Sequence, residues 1–126
     1  VQGSNSGDPF FNRLGTTVNE KTFCASGSST AWLLTVGPTG GVDPESFVHA
    51  KFIVIWACNS ISTNLHHWPF VLEAQKRGAK VVVIDSYRSR TAKAADWHIC
   101  PKPGTDGALA MGFIHSIIAQ GLVDQE

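Results

Sequence analysis

Short apolar runs, each followed by polar residues, recur along the second half of the chain. They read KFIVIWA at 51–57, KVVVID at 80–85 and, more weakly, WHICPKP at 97–103. Apolar runs without alternation are typical of parallel strands that are covered on both faces. We therefore predict strands at 51–56, 80–84 and 97–100, with the first of them central in its sheet and buried on both faces.

Helical patterns lie between these runs and before them. Capping residues and glycine stops predict helices at 9–15, 26–36 (capped by Ser26, Ser28 or Ser29), 64–77 and 105–120, with helical turns after Asp43 and within 86–95. The last helix is expected to bury Leu109, Phe113 and Ile117, together with Met111, Ile114 or Ile118. Strands separated by helices are joined by right-handed crossovers. The predicted fold is α/β, a Rossmann-like three-layer αβα arrangement with a mainly parallel sheet.

Size and charge narrow the range of possible functions. The chain has 126 residues, 43% of them hydrophobic, which suits one domain: a less regular part at 1–44 and a β-α-β-β-α core at 45–126. The formal net charge is +0, so we expect neither nucleic-acid nor membrane-surface binding. No apolar run approaches the roughly 18 residues of a membrane span. Because the chain opens at Val1, we expect a piece of a longer protein.

Cysteine and histidine spacing gives no sign of a metal site. Cys24, Cys58 and Cys100 are scattered without a CxxC, and the five histidines form neither HExxH nor HxH. We expect reduced thiols and no zinc or iron–sulfur site within the chain. The motifs GxSxG, GxGxxG and GxxxxGK[ST] are also absent, which argues against hydrolase, ordinary NAD-binding and P-loop functions.

Polar clusters follow each predicted strand, and parallel strands present their carboxyl ends at one edge, where ligands bind. Asn59 offers both a donor and an acceptor to a base or phosphate, beside Ser60 and Thr63, where a helix begins with free N–H groups. The other interpretation of this segment is ordinary loop and cap chemistry.

The next two clusters add charge. Asp85 is placed to accept hydrogen bonds from ribose hydroxyls, and Arg88 to bind phosphate. The Asp106 carboxylate matches the paired N–H donors of guanine. Each residue also has a plainer interpretation, as a turn-forming aspartate, a solvated arginine and a helix cap. Together the three clusters predict a nucleotide cradle.

Five segments, in order, resemble the molybdopterin oxidoreductases of the dimethyl-sulfoxide-reductase type, which include formate dehydrogenases and nitrate reductases. Members of that family often read W-G-x-N after a strand, then G-A-K-hydrophobic-D-P-R, then A-D, then P-G-T-D-x-A-L. The matching segments here are KFIVIWACN at 51–59, GAKVVVIDSYR at 78–88, AKAAD at 92–96, PGTDGAL at 103–109 and GLVD at 121–124.

The resemblance implies a fold of the formate dehydrogenase and dimethyl sulfoxide reductase middle-domain type, which binds one molybdopterin guanine dinucleotide at the strand ends. The residues that it assigns to the cofactor are Trp56, Ala57, Cys58, Asn59, Ser60 and Thr63, then Asp85, Ser86, Tyr87, Arg88 and Ser89, then Gly104, Thr105 and Asp106, with Cys24 near the pterin. Asp106 is the favoured guanine reader. Ala57 departs from the usual glycine, and Ser86-Tyr87 replaces Pro-Arg, so Arg88 must serve for an earlier arginine.

The resemblance further implies a larger molybdenum or tungsten enzyme. The metal ligand and any iron–sulfur cluster would lie outside this chain, and the expected partners are the remaining domains and electron-transfer subunits. The chain would hold no catalytic residue and no metal ligand, and alone it should not turn over substrate. The substrate and the choice between cytoplasm and periplasm stay open.

Two alternatives also stay open. One is a non-catalytic scaffold, as in the large peripheral subunit of respiratory complex I. The other is a different Rossmann-like nucleotide module, such as the middle domain of thiamine-diphosphate enzymes. The polar residues Asn59, Asp85 and Asp106 favour a binding domain over a scaffold, and the PGTD segment with the helix after it disfavours the other module.

Overall fold

A computed structural model of the chain describes residues 7–17, 24–38 and 40–124, without the side chains of Cys24 and Ala25. Contacts divide the chain into two units, Val1–Gly41 and Val42–Glu126. The first unit holds helices α1 (Asp8–Arg13) and α2 (Cys24–Val36). The prediction that 1–44 and 45–126 together form one cofactor-binding domain stays a prediction.

The helices of the first unit follow the sequence prediction in part. α1 has a proline in its first turn, as predicted, and the chain leaves it through Gly15 at φ 67°. α2 begins at Cys24, so the predicted serine caps are wrong. Ser26, Ser28 and Ser29 lie inside the helix, where the Ser26 carbonyl accepts a hydrogen bond from the Thr30 hydroxyl at 2.9 Å.

The second unit is an α/β layer structure around a parallel sheet. Its elements are a 3₁₀ helix (Pro44–His49), β1 (Phe52–Trp56), α3 (Ser60–Thr63), α4 (Trp68–Lys76), β2 (Lys80–Ile84), α5 (Arg90–Ala94), β3 (Trp97–Ile99) and α6 (Asp106–Ala119). The strands lie in the order β1-β2-β3, and both pairings are parallel. This arrangement confirms the predicted Rossmann-like α/β class.

One face of the sheet carries the core. Ile53 and Ile55 of β1 and the fully buried Val81 and Val83 of β2 pack with residues of α4 and α5. α4 buries Trp68, Val71 and Ala74, a spacing of three residues that lines up one helical face. Burying each aliphatic side chain of this kind stabilises the fold by about 1.5–3 kcal/mol.

The prediction that β1 is a central strand with two buried faces is wrong. β2 is central, and within the described part of the chain β1 lies at the edge of the sheet. Its side chains alternate: Ile55 is 5% exposed, whereas Phe52 and Val54 are 61% and 48% exposed. The cause is the partial cover on the second sheet face.

α6 gives that partial cover. The rings of Phe113 and Trp56 meet edge to face, with centroids 6.0 Å apart. Between α6 and the sheet lies a cavity of about 390 Å³, lined by apolar side chains that include Val54, Trp97 and Ile117. The predicted buried face of α6 is therefore wrong, because no residue of the helix is fully buried.

The helix predicted at 64–77 starts later than predicted, at Trp68, and a separate short helix, α3, precedes it. α3 ends at Thr63, and α4 begins at Trp68 with Pro69 in its first turn. Proline is tolerated there because the first N–H groups of a helix need no partner within the helix. Gly78, at φ 94°, stops α4 as predicted.

Candidate functional site

The carboxyl ends of the strands bring the predicted polar clusters to one edge of the sheet. We call this edge the rim; it consists of residues 56–63 after β1, 85–89 after β2 and 104–106 after β3. The backbone N–H of Ala57 donates to the Ile84 carbonyl at 2.8 Å, and that of Asp85 to the Ile99 carbonyl at 3.1 Å. The first two clusters therefore begin at neighbouring points on the sheet.

A buried threonine joins the first cluster to α5. Asn59 Oδ1 accepts a hydrogen bond from the Thr91 hydroxyl at 2.8 Å, and Thr91 Oγ1 accepts from the Ile61 N–H at 3.1 Å. Thr91 is 0% exposed, so its hydroxyl proton needs this acceptor. The bond fixes the Asn59 amide with its oxygen inward. Among the described residues, nothing accepts from the Asn59 NH₂ group.

Three of the expected free N–H groups at the start of α3 are already bonded. The N–H groups of Ser62 and Thr63 both donate to the Asn59 carbonyl at 2.9 Å, and that of Ile61 donates to Thr91. These three N–H groups are therefore not free to bind phosphate, contrary to the expectation from the sequence. Asn59 closes the turn with its carbonyl oxygen and keeps its side-chain donors open.

Ser60 and Ser89 are buried and have contacts inside the chain. Ser60 Oγ lies 3.6 Å from Cys58 Sγ, while Ser89 Oγ accepts from the Ala92 N–H at 3.2 Å and caps α5. These contacts are structural. Cofactor binding by either residue stays a prediction that burial does not favour.

Ala57 turns the chain at the end of β1. Its φ is +51°, and it is the only described residue other than glycine with a positive φ. For an L-residue this left-handed conformation costs about 1–2 kcal/mol. It is the position where the resembling family usually carries glycine, so the departure noted in the sequence falls on a strained turn.

The second cluster forms a tight turn. Asp85 Oδ1 accepts from the Tyr87 N–H at 3.0 Å, and the Asp85 carbonyl accepts from His98 Nε2 at 2.8 Å. Cys100 Sγ donates to the Ser86 carbonyl at 3.4 Å, which holds the segment after β3 against this turn. The plain role as a turn-forming aspartate is thus present. Among the described residues, Asp85 Oδ2 has no partner.

Arg88 and Tyr87 stand exposed beside that turn. No ion pair within the described residues involves Arg88 or Arg90. The guanidinium of Arg88 is therefore available to an anion at the rim.

The third cluster reaches back to the first. Gly104 turns at φ 82°, and Thr105 Oγ1 donates to the Lys102 carbonyl at 2.7 Å instead of capping α6. Asp106, the first residue of α6, accepts at Oδ1 from the indole Nε1–H of Trp56 at 2.7 Å. This bond joins the start of α6 to the end of β1.

Cys24 is the remaining predicted cofactor residue. It begins α2, and its side chain lies outside the described part of the structure.

A second cavity, of about 320 Å³, borders the first cluster. Its lining includes Trp56, Cys58, Asn64 and His67. Burial lowers the pKa of His67 below its usual value, and the ring packs edge-on against Phe47 with centroids 4.6 Å apart. The neutral imidazole is therefore the form favoured at this wall.

The second group with a shifted pKa, the Asp96 carboxyl, lies at the opposite end of the strands. The Val81 N–H donates to Asp96 Oδ2 at 2.8 Å and lowers the pKa of Asp96. Partial burial opposes this shift, while Gln75 and Lys80 add to the lowering. Asp96 thus ties the start of β2 to the start of β3 and takes no part in the rim.

Thr91 and the Trp56–Asp106 pair were not found from the sequence. A threonine in the first turn of a helix looks like any solvated residue, and only the fold shows that Thr91 is buried behind Asn59. Trp56 was assigned to the cofactor by resemblance, yet its one polar atom binds Asp106.

Within 7–17, 24–38 and 40–124, no three His, Cys, Asp or Glu side chains group together in a way that would hold a metal ion. In the same ranges, no helix has the length and apolar character needed to cross a membrane.

Comparison with known proteins gives the family. The family model described as molybdopterin oxidoreductase matches residues 6–126. The probable oxidoreductase YoaE of Bacillus subtilis is 42% identical over 116 residues, which cover 92% of this chain and 17% of that protein. The assimilatory nitrate reductase catalytic subunit of the same organism is 33% identical over 105 residues, covering 82% of this chain and 15% of that protein.

A relative from another organism is similar over a shorter stretch. The perchlorate reductase subunit alpha of Dechloromonas aromatica is 40% identical over 83 residues, covering 65% of this chain and 9% of that protein. The chain thus spans less than a fifth of each of these relatives. The family match over nearly the whole length, together with the parallel sheet, confirms the resemblance: the chain belongs to the molybdopterin oxidoreductase family.

Proposed function

We propose that this chain is the nucleotide-holding part of a larger molybdenum or tungsten oxidoreductase, and that its rim binds the guanine nucleotide of a molybdopterin guanine dinucleotide. The observation that carries the proposal is the joining of the three clusters. Thr91 links the first cluster to α5, beside the second cluster, and Trp56 links the first to the third. One extended ligand can therefore meet donors and acceptors from all three.

The groups left open at the rim suit such a ligand. The Asn59 NH₂ can donate to a phosphate or a base, and the exposed Arg88 guanidinium can bind a phosphate. Asp85 Oδ2 can accept from a ribose hydroxyl, and Asp106 can accept from the guanine N–H groups. By donor set, the residues present fit the nucleotide half of the cofactor.

In such enzymes the pterin-bound metal supplies the redox chemistry. The part of this chain is to bind and orient the nucleotide. We propose that further domains of the parent chain and electron-transfer subunits supply the metal ligand, the binding site for the second pterin and any iron–sulfur cluster. The relatives' greater length supports this division of labour. On this proposal the isolated chain does not turn over substrate.

Calorimetry with guanosine diphosphate tests the proposal on the 126-residue chain. We expect measurable binding of GDP and weaker binding of ADP. Asp106→Asn should weaken GDP binding by about 10-fold or more, since a charge-assisted hydrogen bond contributes about 1.5–3 kcal/mol. Asp43→Asn is the matched control, because Asp43 is an exposed carboxylate before the 3₁₀ helix and its side chain makes no cap bond.

A chain that circular dichroism shows to be folded, but that takes up no GDP at millimolar concentration, contradicts the proposal. That result would favour the scaffold alternative. Equal binding of GDP and ADP, unaffected by Asp106→Asn, would favour a different nucleotide module.

A further inference from the structure

The indole of Trp56 is held between two parts of α6. Its Nε1–H donates to Asp106 Oδ1 at 2.7 Å, across 50 positions of sequence. Its ring meets that of Phe113 edge to face at an interplanar angle of 80°. Trp56 is half-buried, whereas Asp106 is exposed. The half-buried indole of Trp56 thus donates its hydrogen bond to the exposed carboxylate of Asp106.

The bond is at the short end of the range for N–H···O bonds and has a charged acceptor, which makes it one of the stronger kinds. Indole has a single polar hydrogen and no acceptor. Since that hydrogen is used, Trp56 has no polar group left for a ligand. Its effect on a bound nucleotide must pass through Asp106.

We propose that Trp56 is a positioning residue that gives the rim its preference for guanine over bases with fewer N–H donors. The inference rests on the proposed function. A carboxylate has about four lone-pair sites. The bond from Trp56 takes one site on Oδ1 and restricts rotation of the Asp106 carboxylate. Both oxygens still have a site for the N1–H and the exocyclic amine of guanine.

The bond matters most for a ligand that needs both oxygens. Without the indole donor, the Asp106 carboxylate turns about its own bond. It can then still accept one N–H with little loss of rotational freedom. To accept two N–H groups, however, it must be held in one orientation, which costs entropy. Inosine diphosphate has the N1–H and lacks the exocyclic amine, so it needs only one oxygen. Losing the donor should therefore weaken GDP binding more than IDP binding.

The test compares GDP and IDP binding by calorimetry in the wild type and in Trp56→Phe, which keeps an aromatic ring against Phe113. We expect GDP binding to weaken by about 3- to 10-fold and IDP binding by less than 2-fold, so that the GDP/IDP preference shrinks. Trp97→Phe is the matched control, because Trp97 is 62% exposed at the start of β3, away from the rim. It should change neither affinity.

The contact itself is measured separately, by the indole ¹⁵N–¹H resonance of Trp56. In the wild type we expect a downfield proton that moves upfield in Asp106→Ala. If Trp56→Phe does not fold, the wild-type resonance is followed during titration with each nucleotide. A larger change with GDP than with IDP supports the proposal, and no change while GDP binds overturns it.

The outcomes separate the two proposals. A wild type that binds no GDP removes the proposed function, and the positioning role with it. A wild type that binds GDP, with a Trp56→Phe variant of unchanged GDP/IDP preference, overturns the positioning role alone. Equal weakening of both nucleotides also overturns it, because a purely structural loss acts on both alike.

Discussion

The strained turn at the end of β1 predicts that Ala57→Gly stabilises the protein. Ala57 has φ +51° and is exposed, so the substitution removes a methyl group without uncovering buried surface. The backbone bond from its N–H to the Ile84 carbonyl does not depend on the side chain. The change therefore isolates the conformational cost.

Two opposing terms set the magnitude. Alanine in the left-handed region costs about 1–2 kcal/mol, and glycine releases that strain. Glycine in turn loses more backbone freedom on folding, about 0.5–1 kcal/mol relative to alanine. The difference leaves Ala57→Gly more stable by about 0.5–1 kcal/mol. In a domain of this size the melting temperature should rise by roughly 2–6 °C.

Urea unfolding followed by tryptophan fluorescence measures the difference, and an unchanged slope against urea shows that the two states are comparable. Ala50→Gly is the control, because Ala50 has an ordinary φ of −70°. This change has the entropy cost of glycine without any relief of strain, and it also removes a methyl group that packs against the core, so it should destabilise the chain. If Ala57→Gly lowers the midpoint as much as Ala50→Gly does, the assigned strain at Ala57 is refuted.

Three further predictions concern other parts of the second unit. Thr91→Val should destabilise the chain by about 1–3 kcal/mol, because it leaves the N–H of Ile61 without its acceptor; Thr91→Ser should recover most of this in the same urea assay. The lowered pKa of Asp96 means that its contribution to stability is present above the ordinary carboxyl value of 3.8 and is lost as pH falls through the folded value. Asp96→Asn should therefore lower the melting temperature at pH 7 and converge with the wild type in strong acid; a constant difference at every pH would contradict this. Ile55→Ala should lower the free energy of unfolding by about 2–5 kcal/mol, whereas Val54→Ala on the other face should lower it by less than about 1 kcal/mol. Similar losses in the urea assay would show instead that both faces of β1 are buried.

Local patterns were sufficient for the order of the strands and main helices and for the family. β2 runs over Lys80–Ile84 as predicted, because a buried β-branched run between Gly78 and a polar turn allows little else. The exposed face of β1 was missed because an apolar run reports residue type, whereas exposure depends on the neighbours that the fold supplies. FIVIW and KVVVI look alike in sequence and differ in structure because one is an edge strand and the other is central.

The long-range hydrogen bonds within the rim could not be predicted from the sequence for a different reason. Asn59 and Thr91 are 32 positions apart, and Trp56 and Asp106 are 50 apart. Periodicity and capping rules act over a few residues. They place each partner on its element, but they do not say which partner it will meet.

The same two hydrogen bonds have a consequence for how the protein folds. Bonds between residues so far apart in sequence must recover the entropy of closing long loops, so the rim forms only together with the strands and helices that carry its residues. A ligand seated across it would bind the finished state and not the unfolded one. By mass action it would then add about 2.7 kcal/mol to the free energy of unfolding at a concentration one hundred times its dissociation constant. Nucleotide loading and the integrity of the whole second unit would therefore be one coupled equilibrium.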